Sequence, residues 1–207
     1  SVTAYYSGNG NFAASDNSAS PFQQTVMKAE PAAALTPSQP SAVTGEPFSV
    51  EIALRSDPIT LGIPTGMVSL LIDGEPVAGP LALDAGGKVT VAGLALLPGS
   101  HVMTVQYGGD DYFTALEQDF SDPIALEKAD AAVSVSGFTP GSLVVGQATV
   151  IDVSAAAVAP GAGLPSGSVL VSNGIDSCIA VLADGAGSCE LTPTAAGQPE
   201  LTVEYSG

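Results

Sequence analysis

Positive charge is scarce in this chain. Only 4 of its 207 residues are Lys or Arg (Lys28, Arg55, Lys88 and Lys128), against 21 Asp and Glu, for a formal net charge of −17. Nucleic acids and anionic membrane surfaces are gripped by clustered cations, so neither is an expected partner. Charge of either sign is sparse, at 12% of residues. Helix-rich soluble proteins carry far more Glu and Lys. There is no Trp, one His and two Cys. No apolar run reaches the roughly 18 residues of a membrane-spanning helix, so direct membrane insertion of a helix is not expected.

What is present is 24 Gly, 16 Pro and many Val and Thr, a composition of strands and turns. At 45% hydrophobic residues the chain has enough apolar surface to fold, which argues against disorder. Its length suits one large domain or two of about 100 residues.

A phrase recurs. "YYSGNGNF" at Tyr5 to Phe12 returns as "QYGGDDYF" at Gln106 to Phe113 and as "EYSG" at Glu204 to Gly207, so Tyr6, Tyr107 and Tyr205 stand 101 and 98 residues apart. Other landmarks keep the step: Val26 to Ala33 matches Leu126 to Val133, Gly45 matches Gly146, Pro64 to Val68 matches Pro165 to Val169, and Asp73 matches Asn173. Matches spread over a whole period mark a duplicated domain.

Within a period, Phe48, Val50, Ile52 and Leu54 alternate with polar or small residues, as Val68, Leu70 and Ile72 do after the Pro64-Thr65-Gly66 turn. That is the two-residue period of a strand buried on one face. Before each recurrent phrase the inward set reads Val2, Ala4, Tyr6, then Met103, Val105, Tyr107, then Leu201, Val203, Tyr205. About seven strands per ~100 residues predict an all-β fold of tandem immunoglobulin-like antiparallel β-sandwiches. The Ala-rich stretches at Pro31 to Ala34 and Ala155 to Ala159 are not expected to be helical, given their Pro, Gly and β-branched neighbours.

The order of these elements resembles tandem bacterial Ig-like repeats of the surface-protein or adhesin type. Its carriers are Tyr6 to Phe12, Lys28-Ala29, Gly45 to Ile52, Pro64 to Val68 and Asp73-Gly74, each with a partner one period on. The resemblance spans essentially the whole chain. It implies a non-enzymatic structural segment, a stalk, spacer or filament body, in an extracellular or cell-surface protein. Neighbouring Ig-like units of the same or an identical chain are the implied partners.

In that frame, residues 1–28 are the C-terminal strands of a preceding unit, 29–128 a complete sandwich, and 129–207 a sandwich without its last strand. Two readings of the frame stay open: a window on a longer array, or a homopolymeric fibre subunit whose first strands complete a neighbour's last unit. An adhesin or carbohydrate-binding module, recognising a host or surface ligand, is a further alternative. Tyr5 and Tyr112 are the only aromatics expected to be exposed.

Cys178 and Cys189 flank a hairpin whose turn is expected at Ala183-Asp184, which sets the two directly opposite each other. A disulfide across adjacent strands is the expectation, with two buried free thiols as the alternative. The family resemblance favours the bridge, since related repeats often carry such a pair there. A disulfide in turn implies an oxidising compartment.

Catalytic groups are few. His101 stands alone on a strand, and no Ser-His-Asp order, nucleophile elbow or phosphate loop can be assembled around it. No cofactor is expected. The weak metal candidates are Asp110 and Asp111, as calcium ligands aided by Asp57 or Glu30, with solvated turn carboxylates as the alternative.

Overall fold

In the computed structural model, residues 1–56, 62–139, 142–198 and 200–207 are described. Strands and turns account for their regular structure, and no helix occurs among them. Pro31 to Ala34 and Ala155 to Ala157 lie in strands, and Val158 and Ala159 follow the end of the second strand, so neither Ala-rich stretch is helical.

The first sandwich holds nine strands: β3 (Pro31–Pro37), β4 (Ser41–Val43), β5 (Phe48–Ser56), β6 (Met67–Ile72), β7 (Glu75–Ala82), β8 (Lys88–Leu94), β9 (Val102–Tyr107), β10 (Leu116–Ser121) and β11 (Ala125–Glu127). One sheet has the order β3-β5-β8 and the other β10-β9-β6-β7, all antiparallel, while β4 and β11 form a separate parallel pair. The alternating residues face inward as expected. Val50, Ile52, Leu54, Val68, Leu70, Met103 and Val105 are fully buried between the sheets. Each such side chain contributes about 1.5–3 kcal/mol on burial. Gln118 on β10 spans the sheets, donating through Nε2 to the Ala33 carbonyl and accepting from the Ala33 N–H, both at 3.2 Å.

The second sandwich is built from β12 (Ala131–Thr139), β13 (Thr149–Ala157), β14 (Gly167–Ser172), β15 (Ser177–Leu182), β16 (Ala186–Leu191) and β17 (Thr202–Ser206). Its sheets run β12-β13-β16 and β15-β14-β17 around a core of Ile151, Val153, Val169, Val171, Ala180, Leu182 and Leu191. Strand β17 pairs with β14, and among the described residues its other edge pairs with nothing.

Residues 1–22 form a small hairpin, β1 (Tyr5–Tyr6) against β2 (Ser15–Asp16), extended by a bridge between Val2 and Phe22. Here the expected inward set is overturned: Val2, Ala4 and Tyr6 are exposed, Tyr6 by 44%, whereas Tyr107 is 2% exposed. The alternation is present, but no second sheet packs against this hairpin among the described residues. In the third copy Val203 and Tyr205 are partly buried, and Leu201 lies at the open end of the second core.

Cys178 and Cys189 are bonded, with an S–S distance of 2.04 Å and Cα atoms 5.8 Å apart. Their setting corrects the sequence expectation in two ways. The turn lies one position later, with Asp184 and Gly185 at φ +52° and +77° and Ala183 bridged to Ala186. Moreover, β15 and β16 belong to different sheets, so the chain crosses the sandwich at this turn and the disulfide ties sheet to sheet. In the first unit β7 and β8 make the same crossing, and the positions one period earlier, Ala78 and Val89, are packed against its core.

Candidate functional site

The recurrent phrase and the Pro-Thr-Gly turn, far apart in sequence, meet at one end of each sandwich. Tyr107 ends β9 facing inward, and its hydroxyl donates to the Thr65 carbonyl at 2.7 Å. In the second unit Tyr205 does the same to Ser166, at 2.5 Å. Burial pushes the Tyr107 phenol up to about 12, and the nearby Asp110 charge adds to the shift. Such a phenol stays a donor at any physiological pH.

Asp110 completes the arrangement. Its Oδ1 accepts the Tyr112 and Phe113 N–H groups at 2.8 and 2.7 Å, closing an Asx-type turn, while Oδ2 accepts the Thr65 N–H and hydroxyl at 2.9 and 2.8 Å. Partial burial alone raises its pKa, but the Thr65 N–H, then Tyr112, the Thr65 hydroxyl and Phe113 override that and hold the carboxyl well below the usual range. The first copy keeps half of this device: Asn9 Oδ1 accepts the Asn11 and Phe12 N–H groups at 2.9 and 3.0 Å.

Four protein donors thus engage the two oxygens of Asp110, which fastens the turn after β9 to the Pro-Thr-Gly turn. Asp111 and Glu30 are exposed, and Asp57 lies outside the described residues. No group of three or more His, Cys, Asp or Glu that could hold a metal ion occurs among the described residues. Tyr5 and Tyr112 are exposed, but so are Tyr6, Phe12, Phe22 and Phe138, contrary to the expectation that those two alone would be.

The same end of the first sandwich receives the chain from residues 1–28. Lys28 Nζ donates to the Asp110 carbonyl, the Ala29 N–H donates to Tyr112 O at 2.8 Å, and Ala29 O accepts the Thr114 N–H at 3.0 Å. At the opposite end, the first sandwich touches the second directly. The Ala162 N–H donates to Thr44 O at 3.0 Å, and the Thr44 N–H donates to Glu127 O at 3.0 Å. Gly45, at φ +76°, lies so near Ala162 that a Cβ there would collide with its carbonyl. A cleft of about 300 Å3 lies at this junction, lined by Thr44, Lys128, Asp130, Ala162 and Tyr205 among others.

With this geometry in view, comparison with known proteins is informative. Residues 35–120 match the family described as Bacterial Ig-like domain (group 3). This segment is a bacterial Ig-like domain. A search of curated proteins returns no match. Among solved structures, the fibronectin(III)-like modules of Clostridium thermocellum CbhA align at 16% identity over 82% of this chain and 84% of theirs, with a TM-score of 0.30. The tandem Ig repeats of Dlar align at 19% identity over 85% and 90%, with a TM-score of 0.29. A Bacteroides uniformis β-glucuronidase aligns at 12% over 85% of this chain and 25% of its own, with a TM-score of 0.28.

The one histidine of the Ig-like domain fastens two segments together. His101 Nδ1 lies 2.6 Å from Asp73 Oδ2 and Nε2 lies 3.0 Å from the Leu97 carbonyl, so both ring nitrogens face acceptors. The hydrogen bond to Asp73, then that to Leu97, raises its pKa above the ordinary value. Asp73 also accepts the Val102 N–H at 2.9 Å, which leads the lowering of its own pKa. The pair pins the β6–β7 turn to the start of β9. Thr65, Thr44 and Ala162, the partners that make these contacts, carry no sequence signal beyond the repeat itself.

Proposed function

We propose that this chain is a non-enzymatic spacer section of an extracellular or cell-surface protein, in which tandem Ig-like units set a separation between other parts. The observation that carries this reading is the direct contact between successive units. Thr44, Gly45 and Ala162 meet without an intervening flexible segment, and Lys28-Ala29 is held on the other end of the domain in the same manner. A junction of backbone hydrogen bonds and close glycine contacts transmits orientation, which a Gly/Ser linker does not.

The fastened polar residues support a structural rather than a catalytic role, since Asp110 is held by Thr65, Tyr112 and Phe113 and His101 by Asp73 and the Leu97 carbonyl. Sandwich units with a sheet-to-sheet disulfide suit an oxidising compartment outside the cytoplasm. A net charge of −17 keeps such arrays soluble and mutually repelling, more strongly at low salt. Small-angle scattering of the chain tests the reading: an elongated particle with one narrow distribution of maximum dimension is expected. A flexible particle with freely varying interunit distance, or saturable binding to arrayed glycans, would count against a spacer.

A further inference from the structure

The chain has four Asn, namely Asn9, Asn11, Asn17 and Asn173, and two of them, Asn9 and Asn173, precede Gly. At both of these positions the next copy or the previous copy of the repeat carries Asp: Asp110 stands one period from Asn9, and Asp73 one period from Asn173. Asn173 opens the turn Asn173-Gly174-Ile175-Asp176 between β14 and β15. That place in the fold is open to water, since the Asp73 side chain in the first unit is 50% exposed.

A side-chain amide can be attacked by the backbone nitrogen of the residue that follows it. Two things limit that step: access of the nitrogen to the carbonyl carbon, and the negative charge that develops on the carbonyl oxygen. At Asn173 both limits are relaxed. Its Oδ1 accepts the Ile175 and Asp176 N–H groups at 2.9 and 2.7 Å, so two backbone donors already sit on the atom where the charge appears. The same bonds fold the side chain back over the turn, toward the Gly174 nitrogen. Gly174, at φ +88°, carries no side chain to hinder the approach, and among the described residues nothing beyond its chain neighbours lies within 4 Å of where a Cβ would stand. Its N–H donates to Ser172 Oγ at 3.0 Å, an acceptor on the proton that must leave.

We infer that Asn173 is a site of self-modification, at which the Gly174 nitrogen closes on the side-chain carbonyl carbon and the residue becomes aspartate or isoaspartate. A bond forms from Gly174 N to Asn173 Cγ, the bond from Cγ to Nδ2 breaks, and ammonia leaves with the proton given up by the backbone amide. Water then opens the cyclic imide at either of its carbonyls. No oxidant, reductant or cofactor takes part. The conversion has a structural cost particular to the second unit. Asn173 Nδ2 donates to Asp176 Oδ2 at 3.3 Å, and Asp176 accepts the Thr194 N–H and hydroxyl at 2.9 and 2.8 Å. Those Thr194 bonds, the N–H first, hold the Asp176 carboxyl below its usual range and so keep it charged. A carboxylate at 173 therefore sets like charges side by side and loosens the tie from this turn to Thr194. In the first unit Asp73 meets His101, the only histidine of the chain, at 2.6 Å, so the second unit has no imidazole to offset the new charge. Isoaspartate also adds a backbone carbon to the turn that sets the β14–β15 register. The modification marks the age of the second unit and does not depend on the spacer role.

Incubation of the folded chain in warm, mildly alkaline buffer, followed by proteolytic mapping and mass spectrometry, tests the site. The fragment holding residue 173 should gain the mass that separates a carboxyl from a carboxamide, and part of the product should be labelled by an isoaspartyl methyltransferase. Its rate should lie within about tenfold of that of a synthetic peptide of residues 169–177, or exceed it. Asn173→Gln, whose longer side chain closes a larger and slower-forming ring, should abolish the gain. Asn173→Asp should speed hydrogen exchange at the Thr194 amide relative to the unconverted chain. Conversion slower than the tenfold bound overturns the inference, as does an unchanged mass gain in the Asn173→Gln fragment.

Discussion

At the scale of single residues, the polar groups of this chain act as fasteners, and their titration gives tests. The folded-state pKa of Asp110 lies below its unfolded value of about 3.9, so its stabilisation is complete above that pH and is lost as pH falls through the folded value. Asp110→Asn keeps the Oδ1 contacts that Asn9 already makes in the first copy, and gives up the charge toward Thr65. We expect a loss of about 1 kcal/mol at neutral pH by urea denaturation, modest because the site is solvent-screened, and a flatter stability profile below about pH 4. His101 has the opposite sign. Its pKa is raised on folding, so its contribution is full below about pH 6.5 and fades as pH rises through the folded value. Thermal denaturation should show the first sandwich losing stability above that pH, and His101→Gln should remove the dependence. Sequence alone displayed Asp110 as one of two adjacent acids, which is also how a weak cation site looks. What decides its role is Thr65, 45 positions away in the chain, and nothing in a linear pattern marks that residue as its partner.

At the scale of strands, the alternating apolar sets of β5, β6 and β9 were legible because burial on one face imposes a two-residue period. The Cys178–Cys189 hairpin was half legible. A register argument assumes that both strands stay in one sheet, whereas the turn at Asp184-Gly185 carries the chain across the sandwich. The bridge thus joins the layers that would separate on unfolding, in a loop with a sequence separation of 11. Its removal by Cys178→Ala with Cys189→Ala should cost the second unit about 2–3 kcal/mol in the chain-entropy account. Calorimetry should show only the transition of that unit shifting, since the first sandwich has Ala78 and Val89 at the matching positions.

At the scale of the molecule, the repeat was readable from end to end, but the arrangement of the repeats was not, because it rests on backbone contacts of small residues. Gly45 is the clearest case. Gly45→Val introduces a side chain at positive φ and against the Ala162 carbonyl, so we expect about 1–2 kcal/mol of local strain and a changed or broadened interunit distance by small-angle scattering. Both cores should remain intact.

The parallel pairing of β4 with β11 has one more consequence. These strands lie near the two ends of the first sandwich's chain, and pulling those ends apart drags the strands past each other along their length. Their hydrogen bonds are then loaded together in shear instead of being peeled one at a time. A unit fastened in this way resists tension best where its first and last strands meet.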